Sequence, residues 1–92
     1  MGMSSVLKER IDIVDGKVQQ SNFDDYQILR MEDIPESIVT ELISSREPPQ
    51  GVGESSTPLV ACAIANAFLA LTGKNLRHLP FTPDKVLGVL NA

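Results

Sequence analysis

Thirteen consecutive residues, Leu59 to Leu71, carry a single polar side chain, Asn66. Thr57-Pro58 precedes them and marks a helix start. Thr57 suits the N-cap, and Pro58 suits the first helical position, where a missing N–H costs nothing. Gly73 is placed to close the helix in a left-handed conformation. At ~1.5 Å per residue such a helix is roughly 20 Å long. A helix that is apolar on every side is expected to be buried on every side. The alanines at 61, 63, 65, 67 and 70 would let neighbouring backbones approach closely.

This requirement is hard to meet with 92 residues. A domain of that size buries only roughly 60–65% of its unfolded surface. Aromatic side chains, the largest apolar groups a core can use, are also scarce, and Leu, Ile, Val and Ala must do that work. The aromatics are Phe23, Tyr26, Phe68 and Phe81, with no Trp. The sequence therefore asks for more protein than it contains, either a partner chain or a larger parent. The apolar run is too short to be a membrane span, which needs about 20 residues.

The rest of the chain reads as α+β. Arg10 to Val14 alternates polar and apolar residues, the period of a half-buried strand. Asp15-Gly16 then signals a hairpin turn, with Lys17 to Gln20 as the return strand. Ser4 to Arg10 is polar and reads as a frayed end or a strand entry. Gln27 to Met31 reads as a short strand or a connection, ended by Pro35. Ile38 to Ile43 reads as a further strand, because four of its six residues are β-branched. Ile38 and Leu42 fall on one face, Val39 and Ile43 on the other. A strand apolar on both faces belongs inside a sheet covered from both sides. Prolines and glycines make 45–53 a loop. Asn75 to Phe81 reads as extended, and Thr82-Pro83 opens a short C-terminal helix. The expected unit is one partial domain over 1–92, with Met1-Gly2-Met3 as a cloning remnant.

Charge narrows the function classes. The net charge is −4, and the eight bases form no run. A nucleic-acid surface needs clustered Lys and Arg, and so does a polybasic membrane surface. Neither fits. Cys62 is the only cysteine, so an internal disulfide is excluded. Its apolar neighbours suggest a buried, inert thiol. Met1 to Lys8 lacks the apolar stretch of a signal peptide, and a cytoplasmic location is expected, with the periplasm an alternative for a larger parent. His78 has no partner at ligand spacing, so a zinc site is not expected. Asp24-Asp25 and Glu32-Asp33 read as solvated turns.

The residues best suited to chemistry are Gly51-Val52-Gly53-Glu54. As a dinucleotide fingerprint the stretch fails. A Pro-Pro loop replaces the preceding strand, and Glu54 would repel a pyrophosphate. As a carboxylate site it has two readings. Gly51 and Gly53 permit close backbone approach and unusual φ values. Glu54 lies just ahead of a helix N-terminus, which favours its ionised form, so it could serve as a general base. A surface carboxylate that caps the helix is the commoner use of such a residue. An anion nest built by the Gly51–Ser56 turn is a third use.

Pro48-Pro49-Gln50-Gly51-Val52-Gly53-Glu54 resembles the Gly-Val-Gly-Glu motif near the C-terminus of the molybdenum hydroxylases, the xanthine dehydrogenase and aldehyde oxidase family. The bacterial isoquinoline 1-oxidoreductase and aldehyde dehydrogenase branch looks closest. Val18 to Phe23, Tyr26 and Leu29-Arg30-Met31 resemble the segment that precedes the motif there. Pro58, the alanine-rich helix with Asn66, Thr72-Gly73-Lys74 and Leu79-Pro80 resemble the segment on its C-terminal side. The resemblance runs from about Ile11 to the end.

It implies that Glu54 is the active-site base, taking the proton from a molybdenum-bound hydroxide that attacks an aldehyde or N-heterocycle. Hydride would pass to a sulfido ligand, and electrons would leave through iron–sulfur clusters. Gly51, Val52 and Gly53 would shape the loop beside the molybdenum–pterin cofactor.

The family's subunit is several times longer, and its pterin-binding segments and cluster cysteines have no counterpart here. Ser55 stands where many relatives have proline. The chain is thus expected to be the C-terminal piece of such a subunit, as a cloned piece, a proteolytic remnant or a split gene product. It would bind no cofactor alone, and its partners would be the rest of the molybdenum subunit and an iron–sulfur subunit. The alternative is a free-standing module that self-associates through the apolar helix.

Overall fold

The computed structural model describes all 92 residues. In chain order they form helix α1 (Gly2–Leu7), strands β1 (Ile13–Val14) and β2 (Lys17–Val18), a 3-10 turn (Met31–Asp33), helix α2 (Thr57–Thr72) and helix α3 (Pro83–Leu90). This is a small α+β chain with a two-stranded hairpin and three helices.

Ser4 to Leu7, expected to fray or enter a strand, instead lie in α1, which packs on α2. Gly2 sits at the contact. A Cβ there would lie 2.9 Å from Val60 Cγ2, so the missing side chain is what lets the two helices meet. Ser4 and Val6 are its buried residues. The Val6 carbonyl accepts the Phe81 N–H at 2.7 Å, and the Ser4 hydroxyl accepts the Leu29 N–H at 2.9 Å. Lys8 pairs with Asp33 of the 3-10 turn. A six-residue helix is too short to be stable alone. These tertiary contacts hold it.

The hairpin forms as the Asp-Gly signal requires. Asp15 (φ 50°) and Gly16 (φ 73°) both take positive φ, and the register pairs Ile13 with Val18 and Val14 with Lys17. The ladder is extended by polar contacts. The Gln19 N–H reaches the Asp12 carbonyl at 2.8 Å, and the Asp12 N–H reaches Gln20 Oε1 at 2.8 Å. The strand side chains are exposed, not half-buried.

The first residue of α2 is Thr57, and its N-cap is Ser56, one residue earlier than expected, without a side-chain cap bond. Gly73 closes the helix at φ 71°, its N–H on the Leu69 carbonyl at 2.8 Å. No residue of α2 is buried. Val60, Ile64 and Phe68 lie on a partly covered side, while Leu59, Cys62, Asn66 and Leu69 are exposed. The all-round burial expected of this helix is absent because α1 covers one side only. Cys62 is exposed for the same reason, not buried among apolar neighbours.

Lys74 ties α3 back to the end of α2. Its ammonium donates to the carbonyls of Val89, Leu90 and Ala92 at 3.1, 2.7 and 2.8 Å. These are carbonyls that a helix C-terminus otherwise leaves without partners.

The further strand expected over Ile38–Ile43 does not form. Residues 34–56 contain no helix or strand, and every one is exposed. A strand needs a neighbour to pair with, and the only sheet is the β1–β2 hairpin. The core is correspondingly slight. Four residues are buried, Ser4, Val6, Pro80 and Phe81. The radius of gyration is 16.4 Å, against about 12 Å for a compact domain of this length.

Candidate functional site

Glu54 stands on the exposed loop that leads into α2. Its carbonyl accepts the Thr57 N–H at 3.1 Å, which folds residues 53–56 into the turn ahead of the helix. Its carboxylate takes part in neither ion pair of the chain. The capping role, the commoner use of such a residue, is not realised, since no side chain caps α2. The carboxylate is thus presented to solvent beside a helix N-terminus.

Gly51 and Gly53 do not use their conformational freedom here. Positive φ occurs only at Asp15, Gly16 and Gly73. A Cβ at Gly51 or Gly53 would meet nothing within 4 Å. The Gly51–Ser56 turn therefore lacks the left-handed residue of the αR–αL form of an anion nest. Val52 is also exposed. What glycine offers at these positions is room for something outside the chain.

The other chemistry-bearing residues are not brought to Glu54. One cleft of about 370 Å³ lies between the hairpin and the following turn, lined by Ile11, Gln20, Ser21, Asn22, Phe23 and Tyr26. Another of about 330 Å³ lies beside α3, lined by Leu76, Arg77, His78, Lys85, Gly88 and Val89. Glu54 lines neither. No three His, Cys, Asp or Glu side chains come close enough together to hold a metal ion.

Two polar links escaped sequence reasoning. The Tyr26 hydroxyl donates to Glu9 Oε2 at 2.7 Å. The hydroxyls of Ser4 and Tyr26 hold the Glu9 carboxyl below its ordinary range, and Glu9 in turn raises the Tyr26 phenol. The second is the Lys74 clamp on α3. Both join residues 15 or more positions apart, and local pattern gives no signal of such distance. The Asp25 pair member is likewise no idle turn residue. Its carboxylate accepts the N–H groups of Ser21 and Asn22 at 2.9 and 3.0 Å, closing the turn after β2.

No protein-family model matches the chain. Curated relatives do. The chain is 42% identical over 94% of its length to a membrane-bound aldehyde dehydrogenase [pyrroloquinoline-quinone] of Gluconacetobacter polyoxogenes, of which it covers 11%. It is 40% identical over 89% of its length to isoquinoline 1-oxidoreductase subunit beta of Brevundimonas diminuta, of which it covers 10%. It is 36% identical over 98% of its length to an aldehyde oxidoreductase molybdenum-binding subunit of Escherichia coli, of which it covers 13%. The chain thus spans about one-tenth of the length of the curated relatives it matches.

Proposed function

Because this chain belongs, over about nine-tenths of its length, with the molybdenum-binding subunits of the xanthine dehydrogenase family, we propose that it is the C-terminal segment of such a subunit and supplies its general base, Glu54. The parent is then an oxidoreductase that hydroxylates an aldehyde or an N-heterocycle. The remainder of the molybdenum subunit and an iron–sulfur subunit are its partners, and the cytoplasm is its compartment. The single observation that carries this reading is the reach of the similarity. It extends far to both sides of Gly51–Glu54, in relatives named for aldehyde and isoquinoline oxidation. One relative is named for pyrroloquinoline quinone. The molybdenum assignment rests on those named as molybdenum-binding subunits.

The residues present do not make a site for a molybdenum–pterin group on their own. No metal-holding cluster forms, and neither cleft reaches Glu54. No chemical step is therefore assigned through that group. This chain contributes a carboxylate free of internal partners, on a loop whose glycines leave space around it. Such a carboxylate becomes an effective base only when protein outside the 92 residues fixes its position and excludes water. Gly51, Val52 and Gly53 would shape that loop beside a cofactor held by the rest of the subunit.

Glu54→Gln in the full-length parent tests the reading. Substrate oxidation should fall by about 100-fold or more, the usual scale for losing a general base, while molybdenum content is unchanged. Retained activity would remove the catalytic role. The exposed side of α2 supports a second reading, a module that pairs with another copy through Leu59, Cys62 and Leu69. Light scattering decides it. A monomer at high concentration excludes that pairing.

A further inference from the structure

The stretch from Pro35 to Pro48 has a combination of properties that no other part of the chain shares. Ile38, Val39, Leu42 and Ile43 are exposed at 73%, 83%, 92% and 94%. No backbone hydrogen bond from 36 to 46 is made to any other part of the chain. Within it, Ile38 to Ile43 does not have the composition of a flexible linker, since four of its six residues are β-branched and only Glu41 is charged. Its alternation places Ile38, Thr40 and Leu42 along one face, with Val39, Glu41 and Ile43 along the other.

Resting on the reading that this chain is part of a longer subunit, we infer that Ile38–Ile43 is an inner strand of a sheet whose neighbouring strands belong to the remainder of the molybdenum-binding subunit. Two features choose that occupant over a second copy of the chain. A strand apolar on both faces needs a cover on each face and a neighbour at each edge. Two copies pairing through this segment would give a two-stranded ribbon, which is marginal in water and leaves both faces wet. The curated relatives, of which the chain spans 7% to 13%, contain ample protein to supply both.

The inference bears on Glu54. Ser44 to Ser56 becomes a short tether between a docked strand and a docked helix, stiffened by Pro48 and Pro49. Strand and helix together then set where Glu54 stands. Ile38–Ile43 acts as a positioning element without touching the chemistry.

Amide hydrogen exchange read residue by residue tests this. In the isolated chain the amides of 38–43 should exchange at unprotected rates at every protein concentration. In the full-length subunit they should slow by about 100-fold or more, as paired strands do. Full exchange of these amides in the assembled subunit overturns the inference. Protection in the isolated chain that grows with concentration, alongside a dimer mass, also overturns it, because the occupant is then a second copy.

Thr40→Pro, which removes a ladder donor, should lower turnover of the full-length enzyme at least 10-fold. Thr40→Val, which keeps the strand, should retain it. Equal activity of the two variants overturns the positioning role. The Glu54→Gln result is independent of all these outcomes. Protected amides with an active Glu54→Gln enzyme sink the base and keep the strand. Exposed amides with an inactive Glu54→Gln enzyme do the reverse.

Discussion

Residues 1–33 and residues 34–56 solve the same problem differently. The first region has short elements and few apolar contacts, yet almost every piece is fastened. α1 is held by Gly2 against Val60, Ser4 to the Leu29 N–H, and Lys8 to Asp33. The hairpin is held by its turn and by Gln20 on Asp12. The second region is richer in large β-branched side chains and buries none of them. It also carries Glu54. Isolated polar contacts such as these can be satisfied within 92 residues, whereas an inner strand cannot. The residue proposed for chemistry therefore sits in the region that is least fastened within the chain.

The strongest way to break this contrast is to attack the small core that fastens the first region. Phe81 is 7% exposed, and its N–H is bonded to Val6. Phe81→Ala should cost about 3–4 kcal/mol, a large share of the stability available to so slight a core. The isolated chain should lose its cooperative urea transition. If the transition survives with an unchanged midpoint, α1 and the Pro80–Phe81 corner do not hold the fold. A smaller strain is set by Gly2→Val. It places a branched side chain where a bare Cβ already lies 2.9 Å from Val60 Cγ2. The expected loss is about 1–2 kcal/mol by overpacking, read as a lower melting temperature.

What was legible in the sequence obeys the same division. The hairpin was readable because Asp15-Gly16 dictates φ locally. Gly73 closes α2 because glycine alone is cheap in that conformation. The reading of α1 failed because its stability comes from docking on α2, not from its own residues. Ile38–Ile43 was read as a strand and is not one here, since β-propensity expresses a fit to neighbours that the chain does not supply. The apolar flanks of Cys62 point to a core position, but its thiol is exposed, because α1 covers only the other side of α2. For the site, Gly51–Glu54 was legible only as a motif. The glycines have ordinary φ, and Glu54 has no partner, so its geometry holds no trace of a role.

The glycines allow the contrast to be sharpened directly. Gly16 has φ 73°, and an alanine there should cost about 1–2 kcal/mol. Gly53 has neither positive φ nor a neighbour within 4 Å of a built Cβ. Gly53→Ala should leave the melting temperature of the isolated chain unchanged. In the full-length enzyme the proposed role predicts that the same change lowers turnover, since that role fills the space beside Gly53. A destabilised isolated Gly53→Ala chain would mean that the loop is held by this chain after all.

The smallest expected effect concerns acid. Glu9 has a carboxyl held below its ordinary value of 4.5 by the hydroxyls of Ser4 and Tyr26. Asp33 is lowered by Lys8, and Asp12 by Arg10. A carboxyl with a depressed folded pKa contributes stability that is fully present above its unfolded value. The contribution is lost as pH falls through the folded value. The acid limb of the stability curve should therefore lie below about pH 4.5, and its first structural loss should be the link between α1 and Tyr26. These groups are largely solvated, so the amplitude is small. Glu9→Gln keeps the shape and removes the titration. It should lower stability slightly at neutral pH and flatten the acid limb, with the two proteins converging at low pH. An acid limb of unchanged slope in Glu9→Gln would show that the Ser4–Glu9–Tyr26 contact does not fasten the first region, and would leave Gly2–Val60 packing and the Lys8–Asp33 pair as what distinguishes it from residues 34–56.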